Sequence, residues 1–165
     1  MPRVPFESLA PDARVWVFSS ARPLTGTPAR TLLDEVDAFL DRWQAHGTPL
    51  TCARDWREDR FLVIGVAGDQ ASGCSIDGLF RTLKTLGAHL GTSLVDGSRI
   101  YYRDPSGVVL SATRAEFGDL ARTGTVREDT RVFDTSLTTL GDLRHRFEVP
   151  AERSWHQAYL KTASC

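Results

Sequence analysis

The chain has 165 residues, 41% of them hydrophobic and 25% charged, with a formal net charge of -1. That balance excludes a disordered chain and fits a single domain whose core folds without disulfides or a structural metal. It also supplies no basic stripe of the kind that releases counterions from nucleic-acid phosphates.

Lys84 and Lys161 are the only lysines among the 20 basic residues. Arginine suits bidentate contacts to carboxylate or phosphate, though a GC-rich genome or a salt-adapted surface gives the same bias. Cys52, Cys74 and Cys165 are too few and too scattered for a disulfide framework. No apolar run approaches the roughly 18–20 residues that span a bilayer, and Met1 to Ala10 lacks the apolar segment of a signal peptide. A cytoplasmic location without a membrane partner is the expectation.

The elements follow in order. Residues 1–13 carry three prolines and read as an extended arm, and Arg14–Phe18 reads as a buried strand. Thr27-Pro28 opens a helix, with an N-cap followed by proline at the first helical position. Leu32, Val36, Phe39, Leu40 and Trp43 form its buried stripe, and Gly47 is expected to stop it. Leu50–Trp56 alternates as a half-exposed strand, Arg57-Glu58-Asp59 makes a charged turn, and Phe61–Ala67 is apolar throughout, as a central strand would be.

A loop from Gly68 to Gly73 leads to a second helix, with Ile76, Leu79, Phe80, Leu83, Leu86 and Leu90 on its face and Gly91 at its end. Arg99–Arg103 and Val108–Leu110 are strands joined by the Asp104-Pro105-Ser106-Gly107 turn. The order β-α-β-β-α-β predicts an α+β fold with a ferredoxin-like antiparallel sheet and helices on one face. Its first and third strands are expected at the centre. The second and fourth, which carry Arg54, Arg99 and Arg103, are expected at the edges.

This core covers about residues 14–110, and a C-terminal extension covers about 111–165. In the extension, Thr113 and Glu116 have capping-box spacing. Thr130–Phe133 reads as a strand, Leu137, Leu140 and Leu143 as a helical stripe, and Ala151–Leu160 as a last short helix.

Several chemistries are excluded by pattern. GxxxxGK[ST] and GxGxxG, which hold nucleotide phosphates, are both absent. The third strand lacks the aromatic pairing with which RNA-recognition sheets stack bases. His46, His89, His145 and His156 are isolated, so no metal site and no cofactor is expected. His46 and His89 fall near helix C-termini, where imidazolium suits the dipole.

One local constellation has chemical shape, Ser72-Gly73-Cys74-Ser75-Ile76-Asp77, between the most apolar strand and the second helix. Its helix N–H groups at residues 75–77, with the hydroxyls of Ser72 and Ser75 and the open backbone of Gly73, are suited to an anion or to activating Cys74. A helix terminus contributes only about 0.3–1 kcal/mol, less than one pKa unit at about 1.36 kcal/mol. Activation of Cys74 therefore needs a further cation. The competing reading makes Ser75 a simple N-cap and Cys74 a small buried residue, and Asp77 competes with an anion for the same N–H groups.

The stretches Arg14-Val15-Trp16, Trp43 with His46-Gly47, Arg60-Phe61, Ser72–Asp77 and Val149-Pro150 through Ser154-Trp155-His156 resemble a family of small bacterial proteins of uncharacterised function. Members are often labelled ABC transporter ATPase. That label implies ATP hydrolysis, but this sequence has neither a Walker A motif nor an LSGGQ-type stretch, so no ATP hydrolysis is expected.

Three functions follow from these residues. The first is a binding module for a small anionic ligand or a protein partner, with Ser72, Gly73, Ser75 and Arg153 at the site. The second is an enzyme with Cys74 as nucleophile and His156 as base. The third is a structural subunit that dimerises through an open sheet face.

Overall fold

A computed structural model describes residues 3–163 of the chain. Cys165 lies outside them. The fold is α+β, with antiparallel sheets and helices. The chain forms two compact units. One holds the residues up to Asp96 together with Ser136–Leu143, and the other holds Gly97–Thr135 together with the residues from Arg144 onward.

The first unit contains β1 (Arg14–Ser19), α1 (Gly26–Asp41), β2 (Gln44–Ala45), β3 (Thr48–Pro49), β4 (Cys52–Arg57), β5 (Phe61–Val66) and α2 (Gly73–Leu90). Its main sheet has the order β1-β5-β4, antiparallel throughout. All six residues of β5 are buried, as the unbroken apolar run requires. Leu62, Ile64 and Val66 pack with Leu32, Val36 and Leu40 of α1 and with Leu79 and Leu83 of α2. On the other face, the arm folds back so that Leu9 and Phe6 lie over Gly65.

β1 is an edge strand here, not a central one. Its outer side is covered by the returning segment, where Val15 N–H donates to Thr138 O at 2.9 Å and Leu140 N–H donates to Ala13 O at 2.9 Å. The polar covering explains why an apolar strand tolerates an edge position.

α1 ends at Asp41, before the expected stop at Gly47. His46 and Gly47, with φ of 52° and 79°, instead form the turn of the β2–β3 hairpin, in which Ala45 faces Thr48. Two successive left-handed residues twist a two-residue turn in the same sense as its strands. His46 therefore caps no helix. Gly91 does end α2, in the left-handed conformation at φ 75°.

The second unit contains β6 (Ile100–Arg103), β7 (Val109–Ala112), α3 (Arg114–Arg122), β8 (Arg131–Phe133), β9 (Glu148–Pro150) and α5 (Gln157–Ala163). A further helix, α4 (Leu140–Arg146), precedes β9 in the chain. The sheet order is β7-β6-β8-β9. The four strands expected in one ferredoxin-like sheet are thus divided between two sheets. Ile100, Tyr101 and Tyr102 are all buried, so β6 is apolar on both faces, and it takes an interior place between β7 and β8. The arginines at its ends misdirected the edge assignment. On one face Phe117 of α3 packs with Ile100, Tyr102 and Val132, with Trp155 and Tyr159 against the same cluster. The capping box of Thr113 and Glu116 opens α3 as the spacing predicts.

A Cβ on Gly65 would stand 2.7 Å from Leu9 Cδ1. Gly65→Ala is expected to cost about 1–3 kcal/mol of unfolding free energy through overpacking. Adding Leu9→Ala should recover part of that loss, and strictly additive losses in denaturant titrations would refute the contact. Asp59 sits at φ 55° in the β4–β5 turn, where glycine carries no Cβ penalty. Asp59→Gly is expected to raise stability by about 0.5 kcal/mol, read as a higher denaturation midpoint.

Candidate functional site

The loop after β5 is tied to the start of β4, where Ala67 N–H donates to Thr51 O and Thr51 N–H donates to Gln70 Oε1, both at 3.0 Å. It delivers Ser72 as the N-cap of α2. Ser72 and Ser75 form a reciprocal capping box. Ser75 N–H donates to Ser72 Oγ at 3.2 Å, and Ser72 N–H donates to Ser75 Oγ at 2.8 Å. Ile76 N–H donates to Ser72 O at 3.0 Å.

The three N–H groups offered to an anion by the sequence are therefore already engaged, because Asp77 N–H belongs to the i to i−4 ladder of α2, which begins at Gly73. The Ser75 hydroxyl is fully committed, because its Oγ–H donates back to Ser72 O at 2.7 Å, and Ser72 Oγ is held as the acceptor of Ser75 N–H. Buried Trp43 fixes the turn further, its Nε1–H donating to Ser75 O at 2.9 Å. Gly73 has open space where a Cβ would stand, so no close approach requires glycine there. Cys74 is exposed in the first turn, whereas Cys52 is buried and its thiol is pushed up to about 12 by that burial.

His156 belongs to the second unit and is completely buried. Its Nδ1 shares a 2.7 Å hydrogen bond with Ser154 Oγ, and its Nε2 has no hydrogen-bond partner. The ring stacks on Trp155 at 3.9 Å and meets Phe117 edge-to-face at 5.8 Å. Trp155 in turn donates Nε1–H to Asp134 Oδ1 at 3.2 Å, with the Arg114 guanidinium 5.2 Å from its ring centroid. Burial pushes the imidazole down to about 4, against a smaller opposing pull from Asp134. It is neutral at neutral pH and sealed from solvent. Arg153 is exposed at the end of a 3-10 turn.

The sequence motifs thus pair internally, Ser72 with Ser75 and Ser154 with His156, in different units. Sequence reasoning missed a cleft of about 700 Å3 in the second unit, with Arg103, Arg127 and Arg131 on its walls. The antiparallel register pairs Tyr102 with Val132, which makes Arg103 and Arg131 cross-strand neighbours. Like charges opposite each other repel, and Glu148 of β9 bridges them. Arg103 donates to both its carboxylate oxygens at 2.6 and 3.0 Å, and Arg131 Nε lies 3.5 Å from Oε2. The Arg103 pairing holds the Glu148 carboxyl below its ordinary range.

Arg127 is different. Its Nε–H donates to Gly124 O at 3.1 Å, and its terminal nitrogens make no hydrogen bond among the described residues. Asp104 spends one carboxylate oxygen on its own turn, accepting from Ser106 N–H, Ser106 Oγ–H and Val108 N–H. The arginine richness of the composition was a signal, but the pairing of β6 with β8 that gathers these residues is long-range.

No protein-family model, curated protein or solved structure matches this chain. No helix among the described residues is long and apolar enough to cross a membrane, and no group of three or more potential metal ligands occurs among them.

His156 has a folded-state value depressed from 6.5 to about 4, so the unfolded chain binds the extra proton first. Stability is therefore expected to fall as pH drops from about 6.5 to about 4, by roughly 3 kcal/mol in all, and to lose no more from this group below that. In urea titrations across that window, His156→Gln should remove most of this slope. An unchanged slope would refute the burial assignment.

Proposed function

We propose that this chain is a binding module for a small ligand carrying an anionic group, acting in the cytoplasm, with its site in the arginine-walled cleft of the second unit. The observation that carries this reading is the guanidinium of Arg127, whose terminal nitrogens are unengaged on a wall shared with Arg103 and Arg131. Two of the three cations share one carboxylate, and a planar guanidinium with free donors matches carboxylate or phosphate oxygens in pairs.

The α2 N-terminus is the weaker location, because its serines and two of its leading N–H groups already satisfy each other. The thiol-enzyme reading has less support still. Exposed Cys74 has a nucleophile's access, but a buried neutral imidazole has no open face for a substrate. Membership of the family that shares the Ser72–Asp77 motif is part of this proposal and brings no activity with it.

Inorganic phosphate and acetate are the probes. Either should shift backbone amide resonances of residues 124–131 saturably, and more weakly as salt rises. Arg127→Ala should weaken the interaction about tenfold, the loss of one charge-assisted pair, with little change in unfolding midpoint because the Arg103–Glu148–Arg131 bridge is untouched. Equal affinity in the variant would refute the assignment.

A further inference from the structure

A second cleft, of about 520 Å3, adjoins the first in the same unit. The two share Gly124, Arg127 and Asp129, so the loop carrying these residues is their common wall. Their unshared residues differ in charge, since Arg103 and Arg131 line only the first cleft and Glu128 and Glu152 only the second. In the second cleft Glu128 and Glu152 stand with the shared Asp129 and Arg127 beside an apolar floor that includes Val126 and Leu160. None of these three carboxylates has a hydrogen-bond or ion-pair partner among the described residues.

The backbone holds them together. Glu152 N–H donates to Glu128 O at 3.0 Å, and Ala151 N–H donates to Thr130 O at 2.8 Å. The loop is itself anchored, since Thr125 and Val126 N–H both donate to Leu120 O at the end of α3, and Thr130 Oγ1 accepts from Arg127 N–H at 2.8 Å. Asp129 also sets a limit on the first cleft, because a purely anionic ligand there meets an unpaired carboxylate on the shared wall.

We infer that the two clefts form one site for a small zwitterion, with its anionic group among Arg103, Arg127 and Arg131, its cationic group facing Glu128, Asp129 and Glu152, and its methylene chain over the loop between them. The inference rests on the anion reading above and names the ligand class. A ligand with both charges can pair with the arginines of the first cleft and with Glu128 and Glu152 in the second, whereas a plain carboxylate or a plain amine pairs on one side alone. The apolar floor beside Val126 and Leu160 favours a linker of methylenes over a polar one.

Glycine, γ-aminobutyrate and ε-aminocaproate, titrated at low ionic strength against acetate, butyrate and caproate, test this. Hexylamine serves as the cation-only probe. At least one amino acid of the series should bind about tenfold tighter than its matched carboxylate. That advantage should vanish in a Glu128→Gln/Asp129→Asn/Glu152→Gln variant, which should bind the plain carboxylates at least as tightly as before because Asp129 no longer repels them, a result that also shows that the variant is folded. If the carboxylates bind and no amino acid exceeds them, the zwitterion inference is overturned and the anion site stands. Should hexylamine match the best amino acid, the far cleft is an independent cation site and the inference is likewise overturned. If neither carboxylates nor amino acids shift residues 124–131, the anion reading fails with it.

Discussion

The first unit depends on the double burial of β5. A strand covered on both faces needs a layer on each side, and the chain supplies them from opposite directions. The two long helices contribute leucines to one face, while the arm before β1 folds back to lay Leu9 and Phe6 on the other. A Cβ at Gly65 would stand 2.7 Å from Leu9 Cδ1, so the absence of a side chain there sets how tightly the arm can seat. The loop leaving β5 then has little freedom. Its ties to Thr51 bring Ser72 to the head of α2 with its capping partner already in place.

What was legible in the sequence was local. The unbroken apolar run of β5, the capping box at Thr113 and Glu116, and the terminal Gly91 each report a constraint satisfied within a few residues. What escaped was decided by partners far along the chain. His46-Gly47 reads equally well as a helix stop or a hairpin turn, and only the pairing of Gln44-Ala45 with Thr48-Pro49 decides between them. Arg103 reads as an edge charge until β8 and β9 bring Arg131 and Glu148 beside it. The arginine cleft was invisible for the same reason, because its walls come from a hairpin and a loop that meet only through that pairing.

Two polar groups in the second unit, Glu148 half-buried and His156 fully buried, illustrate contrasting solutions. Glu148 retains its charge because two guanidiniums neutralise it, at the expense of fixing three side chains. His156 gives up its charge, since its enclosure by Phe117 and Trp155 offers no counter-ion strong enough to hold a proton. The first leaves a polarised rim beside open space, and the second leaves a neutral, aromatic-lined interior. A ligand would meet the former.

The path of the chain carries a consequence for its synthesis. The first unit closes only when Ser136–Leu143 returns to it, after most of the second unit's residues have been made. Until Thr138 emerges, the outer side of β1 presents unpaired N–H and C=O groups, an invitation to a neighbouring nascent strand. A stop codon or a proteolytic cut between residues 97 and 135 therefore does more than delete one half. It strips the first unit of the cover on β1, so that unit cannot be obtained whole by ending the chain in this interval, whereas a chain that starts at residue 97 keeps every residue of the second.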